Sequence, residues 1–353
     1  MKEKKIKVFH GLVNYGTQAG FFSRELRNQG IESLSIVYPD SFKRQADLQL
    51  LFGGNFITKV VRHSLNYIKR IKCFFYFNTF HFYYGTSLFP YQLDLPLYKL
   101  FGKKVIMEYL GTDCQLYEYS IKKYKWTNSF GRFPLKQDGL NNDKIITKRL
   151  KRESGYIDKK FVCAPLYSEF VNKSTVLPLA IDISDFNFSP LEKKDKLRIM
   201  HAPTHRGFKG SDYILEALNK LIEEGYPLEI DLVEGVTHLE LKNRYLKCDI
   251  FIDQILAGWY GTASIEAMAI GRPVICFIRD SYFKEVDYGF NMPIISADPD
   301  SIYDVLKNTI SFSYEKLQEI GVSSRLFVEE IHDVKKVTEK LIKEYRVLWN
   351  HHL

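Results

Sequence analysis

Short apolar runs alternate with amphipathic stretches along the first half of the chain. KIKVFHGL is followed by GTQAGFFSRELRNQG and ESLSIVYP, and later come KKVIMEYLG and KKFVCAP. This alternation predicts βα units feeding an open, doubly wound parallel sheet. Gly30 stands where the end of the first helix needs a left-handed residue. A second series opens near residue 197, with strand LRIMHAP, helix SDYILEALNKLIEEG, strand LEIDLVEG, helix LELKNRYLKC, strand DIFIDQ, helix TASIEAMAIG and strand PVICFI. Between the two series, Pro178 and Pro190 bracket a segment, VLPLAIDISDFNFSPLEKKDKL, that reads as a linker. The closing DVKKVTEKLIKEYRVLWNHHL carries apolar residues at helical spacing and predicts one long amphipathic helix that packs across to the other domain. The expected division is 1–185 plus 336–353 for one domain and 186–335 for the other.

Composition narrows the class. A chain of 353 residues with 45% hydrophobic content is longer than one core supports, which agrees with two domains. Five scattered cysteines, none spaced as CxxC, predict neither a disulfide framework nor a zinc site and suit a reducing cytosol. The opening residues lack the apolar core of an export signal. No run reaches the roughly 18 apolar residues of a membrane-spanning helix. A net charge of +8 attracts anions without choosing among them, and nothing beyond that charge points to nucleic acid. The charge is unevenly spread: Lys43, Arg44, Lys59, Arg62, Lys69, Arg70 and Lys72 crowd one stretch rich in Leu, Ile, Val and Phe. Such a patch suits an anionic membrane surface, the other reading being a charged face that covers a helix.

Two constellations carry candidate chemistry. In HAPTHRGFKGSDYILEAL, a strand ends at Pro203, a loop presents Arg206 and Lys209, and Gly210-Ser211 opens a helix with free amides. Two cations beside a helix start make a diphosphate site, the guanidinium binding bidentately and the ammonium as a point charge. The other reading is a solvated loop with Ser211 as a helix cap. In WYGTASIEAMAIGRPVICF, Gly258 and Gly261 precede a helix from about Thr262, which Gly271 and Pro273 end. Glu266 sits one turn into this small, apolar helix and must find donors, which sugar or ribose hydroxyls supply. The alternative is a helix glutamate paired with a local cation. Gly16 and Gly20, in HGLVNYGTQAG, do not form a dinucleotide fingerprint. His81 reads as a packed histidine.

Taken in order, HAPTHRGFKGSDYI, LVEGV, CDIFID and GWYGTASIEAMAIGRPVI resemble the donor half of retaining GT-B glycosyltransferases of family 4. The segment VLPLAIDISDF is similar to that family's linker at Pro178, Ile181, Asp182 and Phe186, with Leu179-Ala180 in place of Asn-Gly. The resemblance spans about residues 175 to 280. It implies two Rossmann-like domains facing across a cleft, an N-terminal acceptor domain and a C-terminal donor domain. By the same resemblance Arg206 and Lys209 contact the donor diphosphate and Glu266 bonds the ribose. Thr262, Ser264 and Gly261 lie at the helix start near the diphosphate, Gly235 and Val236 meet the base, and Gly16 approaches the phosphates, the other reading of that loop being a plain βα turn. Asp113, in EYLGTDCQ, is expected to orient an acceptor hydroxyl or meet the donor sugar, the other reading being a turn or capping residue. The family's E-x7-E motif has Gly258 at its first position here, with Asp253, Gln254 or the amides of Tyr260 and Gly261 as candidate substitutes.

The implied reaction moves a sugar from a nucleotide-diphosphate donor, UDP favoured, to a glycan or lipid-linked glycan hydroxyl. The anomeric configuration is retained, and the cations stand where other enzymes use a metal, so no metal or other cofactor is expected. Surface polysaccharide or glycoconjugate synthesis in the cytoplasm, at the inner face of the plasma membrane, fits this expectation. The alternatives are a catalytically silent nucleotide-sugar-binding or partner subunit, motivated by Gly258, and a sugar-nucleotide epimerase.

Overall fold

The computed structural model describes residues 5–40, 44–131, 136–286 and 288–350. Lys43 of the basic stretch and residues 351–353 lie outside them. The chain divides into two compact units: 1–115, 145–180 and 334–353 in the first, and 116–144 and 181–333 in the second. The boundary near 180 falls within the expected linker. Residues 116–144, expected in the first domain, group instead with the second. No helix among the described residues is long and apolar enough to cross a membrane.

The first unit is built on seven parallel strands: β1 (Lys7–Leu12), β2 (Glu32–Val37), β3 (Leu48–Gln49), β4 (Thr79–Tyr83), β5 (Lys104–Tyr109), β6 (Lys159–Val162) and β7 (Ser174–Val176). Their order is β3-β2-β1-β4-β5-β6-β7, which reverses direction between β1 and β4. Strand β4 comes from FNTFHFYYG, an aromatic run whose continuous burial hides the alternation that marks a half-exposed strand. Phe9, Phe74, Phe80, Phe82, Tyr98 and Met107 form the heart of this core. The helix Val334–Asn350 packs in the same unit, against the helix Gln18–Asn28. It buries Val337, Leu341 and Tyr345, and its Trp349 Nε1 donates to Thr79 Oγ1 at 2.9 Å.

The second unit holds a four-stranded parallel sheet: β8 (Leu197–His201), β9 (Leu228–Leu232), β10 (Ile250–Ile252) and β11 (Val274–Ile275). The order β11-β10-β8-β9 again reverses, between β8 and β10. In open sheets of this kind the crevice at the carboxyl ends of the two diverging strands is the usual ligand position. Helix Ser211–Glu223 follows β8 and helix Thr262–Ile270 follows β10. The latter is apolar almost all round and buried from Ser264 onward, as a helix enclosed by the core must be. Helix Tyr314–Ile331 lies against it so closely that a Cβ at Gly321 would stand 2.2 Å from the Gly271 carbonyl oxygen.

Candidate functional site

The carboxyl ends of β8, β9 and β10 gather most of the candidate residues. Strand β8 ends at His201, which is buried. Its Nδ1 lies 2.9 Å from the Ile252 carbonyl and its Nε2 lies 2.8 Å from Ser211 Oγ. Burial lowers this imidazole to about 4, so it is neutral near pH 7. A carbonyl only accepts, so Nδ1 carries the proton and Nε2 accepts from the serine. His201 thereby ties β8, β10 and the next helix together. Ser211 is the first helical residue, and the cap position falls to Gly210 with φ 80°.

Arg206 and Lys209 do not stand on an open loop but on one short helical turn, Arg206–Lys209, whose cap His205 accepts the Phe208 N–H. Residues 116–144 hold this turn from outside. A Cβ at Gly131 would come within 2.0 Å of the Gly207 carbonyl carbon, so two backbones touch there. Arg206 binds Glu234 bidentately, Nε to Oε1 at 2.9 Å and Nη2 to Oε2 at 2.5 Å, at an exposed position. Lys209 points inward, its Nζ 2.5 Å from Asp253 Oδ1.

Asp253 is the hub of the site. It follows β10 directly and is buried, and its Oδ2 accepts from Ser264 Oγ at 2.6 Å and from the Gly261 N–H at 3.3 Å. Burial pushes this carboxyl up, but Lys209, Ser264 and Gly261 outweigh it and hold the group below its ordinary value. One ionised acid thus fixes the lysine and the start of helix Thr262–Ile270. Ser264, expected at the diphosphate, is fully buried with its hydroxyl given to Asp253, which makes it a positioning residue. Thr262, beside it, is only half-buried.

Glu266 is buried on the same helix, and its Oε1 accepts from His238 Nε2 at 2.8 Å. That bond raises the His238 imidazole above its ordinary value. Of the two readings of Glu266, a local partner is present in His238, and the second carboxylate oxygen is left for another donor. Gly235, with φ 68°, and the half-buried Val236 lie on the loop between Glu234 and His238.

The first position of E-x7-E has its own answer. Gly258 has φ 83°, and a Cβ there would stand 2.5 Å from Arg279 Nη1. The Arg279 guanidinium fills that space, donating to the Ala257 carbonyl, to the Tyr282 hydroxyl and to the Trp126 carbonyl. It also stacks over the Tyr124 ring at 3.7 Å. Three of the four suggested substitutes are occupied: Asp253 as above, Gln254 by the Trp259 carbonyl, and the Gly261 amide by Asp253. Trp126 and Arg279 also line a cavity of about 460 Å³ with Ser281, Ser296, Asp298 and Asp300. Sequence reasoning missed Arg279, Glu234 and His238, because each is defined by a partner distant in the chain.

Gly16 and Asp113 lie at the carboxyl edge of the other sheet, in the first unit. Gly16, with φ 51°, sits on the turn Tyr15–Thr17 after β1, and its carbonyl accepts from Gln18 Nε2. Asp113 follows β5, is buried, and accepts the Leu110 and Gly111 N–H groups on Oδ1. Its Oδ2 has no hydrogen-bond partner among the described residues, and burial raises the carboxyl to about 6. Deeper in the same sheet, His81 Nδ1 meets the Tyr345 hydroxyl at 2.6 Å and its Nε2 lies 3.3 Å from Glu108. Burial lowers His81 to about 3 and raises Glu108 to about 8, so both are neutral at pH 7 and form no ion pair. The packed reading of His81 stands.

No protein-family model matches this chain, and no curated protein sequence matches it. Solved structures do. A sucrose-phosphate synthase from Thermosynechococcus elongatus superposes with a TM-score of 0.61 at 13% identity, over 99% of this chain and 100% of that one. A glycosyltransferase from Rickettsia africae gives 0.64 at 14% identity, over 98% and 99%. HepE from Anabaena, solved with UDP and glucose, gives 0.60 at 10% identity, over 97% and 99%. Identities this low speak for a shared fold along the whole chain.

Proposed function

We propose, proceeding from the GT-B fold that this likeness shows, that the chain is a glycosyltransferase using a nucleotide-diphosphate sugar. UDP is the favoured nucleotide, as in the HepE structure solved with UDP and glucose. One observation carries the reading: Arg206, Lys209 and Glu266 all lie on segments leaving the carboxyl ends of β8 and β10, around the switch point of one sheet.

The ligand-free arrangement suits an exchange of anions. Arg206 rests on Glu234 in water, where screening makes the pair weak and easily traded for a phosphate oxygen. Lys209 remains on Asp253 through one proton and has two further N–H groups for a diphosphate. Asp253 keeps that ammonium in place before the donor arrives, so little reorganisation is needed as charge builds on the departing diphosphate. Ribose hydroxyls bond the remaining oxygen of Glu266. The acceptor, a glycan or lipid-linked glycan hydroxyl, attacks from the leaving-group side with retention, its proton passing to a phosphate oxygen. The cations replace a metal in this scheme. Asp113, raised to about 6, with a buried Oδ2 that has no hydrogen-bond partner among the described residues, is the group assigned to the acceptor hydroxyl. Synthesis of surface polysaccharide or glycoconjugate at the cytoplasmic face of the membrane fits such a reaction.

A second reading, a silent nucleotide-sugar-binding subunit, is favoured by Arg279 in the place of the missing glutamate. Two measurements separate them. UDP at a hundredfold its Kd should add about 2.7 kcal/mol of stability and raise the melting temperature, whichever reading holds. Release of UDP from a donor sugar should be detectable and should fall at least about tenfold, some 1.4 kcal/mol, in Arg206→Ala and Glu266→Gln. A UDP shift without any turnover establishes the silent subunit, and no shift with any nucleoside diphosphate ends both readings.

A further inference from the structure

Helix Phe56–Tyr76 leaves most of its apolar residues outside. Ile57, Val61, Ile68, Ile71 and Phe75 recur at spacings of three, four and seven, with Val60 and Leu65 beside them, so they form one apolar stripe along the helix. A surface helix ordinarily buries such a stripe. Here the stripe faces out, Ile57 being 72%, Ile68 49% and Phe75 66% exposed. The face turned to the protein carries Asn66 and Arg70 and, towards its end, Cys73 and Phe74. Asn66 exchanges two hydrogen bonds with the Leu51 backbone, and Arg70 donates to the Leu88 carbonyl and the Tyr38 hydroxyl. Those bonds specify which way the helix faces, because rolling it over would strand a buried guanidinium and an amide. The exposure of the stripe is therefore built in.

The patch continues onto the next helix. Phe101 meets Phe74 and Phe75 edge-on at 5.5 and 6.2 Å, and Leu97 and Leu100 are exposed beside it. The 21 residues of helix Phe56–Tyr76 include Lys59, Arg62, Lys69, Arg70 and Lys72 and not one Asp or Glu. Lys69 and Lys72 lie along one flank of the stripe. At its far end the Tyr76 hydroxyl bonds Glu32, an acid already compensated by Lys5 and Lys7. A helix about 31 Å long, apolar on its outer face and basic without acidic relief, matches a surface that offers hydrocarbon beneath a layer of negative charge.

We propose that this face docks on an anionic lipid bilayer, with the helix lying in the headgroup plane and Lys69 and Lys72 reaching lipid phosphates. The inference stands on the first unit alone and does not depend on the proposed reaction.

The test uses the whole chain and vesicles of phosphatidylcholine with or without phosphatidylglycerol. The protein should sediment with the anionic vesicles, less so as salt rises, and far less with phosphatidylcholine alone. Ile68→Asp with Phe75→Asp should weaken that binding at least about tenfold, since two apolar anchors become charges. Lys69→Glu with Lys72→Glu should weaken it comparably, each lost cation accounting for roughly fivefold. Ile68, Lys72 and Phe75 are exposed and Lys69 is half-exposed, so melting temperature and any UDP-induced shift should stay close to those of the parent chain, which separates failure here from failure of the proposed reaction. Absence of sedimentation, or binding that survives both double variants, overturns the proposal. So does a dimer that Ile68→Asp disperses while vesicles remain unbound, because a second copy of the chain would then cover the stripe.

Discussion

At Asp253 one carboxylate serves three donors, and this explains how a lysine can be held half-buried at the end of a strand. Without Asp253 the ammonium would face desolvation with no counter-charge, and without Lys209 the acid would be stranded in the core. Glu108 shows the opposite solution, a buried acid that stays neutral. Its value of about 8 against an ordinary 4.5 means that the folded chain keeps a proton the unfolded chain has lost. Its contribution to stability is therefore complete below about pH 4.5 and is lost, at about 1.4 kcal/mol per pH unit, as pH rises towards 8. His81, lowered to about 3, acts with the other sign and only below its ordinary value of 6.5. Glu108→Gln should accordingly gain on the parent chain by up to about 4 kcal/mol between roughly pH 5 and pH 8, read from urea unfolding at each pH. A difference that does not change with pH would mean that Glu108 ionises normally.

Among elements, the loop from Asp253 to Gly261 is fixed by a left-handed glycine and by a guanidinium from outside it. Helix Thr262–Ile270 begins where its Gly, Thr and Ser predict and ends at Gly271 with φ 93°, while Glu266 bonds His238, the first residue of the helix after β9. At Gly258 both a left-handed backbone and the Arg279 guanidinium exclude a side chain. Gly258→Ala should cost about 1–2 kcal/mol for the backbone and more for the displaced guanidinium. In an Arg279→Ala background the second part should vanish while the first remains, so a double-mutant cycle by thermal unfolding should show clear coupling. Additive effects would place Arg279 elsewhere in solution. The turn Arg206–Lys209 makes a related point. It reads as an open loop in sequence because its support comes from Gly131, 76 positions before Gly207.

For the whole molecule, the last helix is the decisive element of the first unit although it is the last part of the chain. Tyr345 reaches His81, Trp349 reaches Thr79, and Glu344 pairs with Lys159 at 2.9 Å. A chain ending at Asp333 loses Val337, Leu341 and Tyr345 from the core, roughly 5 kcal/mol or more at ordinary burial energies. That is comparable with the net stability of a domain. Calorimetry of the truncated chain should show the transition of the first unit lost or strongly lowered, with that of the second retained, since the second keeps its own bridge between Ile181 and Asp333. Loss of both transitions together would show that the units fold as one.

The sequence by itself determined what is local: the alternation of strand and helix, the glycines that end helices, the cations ahead of Ser211 and the lone acid in an apolar helix. Each is written in spacing, because helix and strand repeat over a few residues. Tertiary structure alone decided what is paired across distance. It placed Lys209 on Asp253, gave His238 to Glu266, moved residues 116–144 to the second unit and set Arg279 against Gly258. It also decided the outward turn of helix Phe56–Tyr76. Periodicity reveals that a stripe exists, but which side of the helix meets the core depends on the partners waiting there, and here Leu51, Leu88 and Tyr38 offered hydrogen bonds to Asn66 and Arg70.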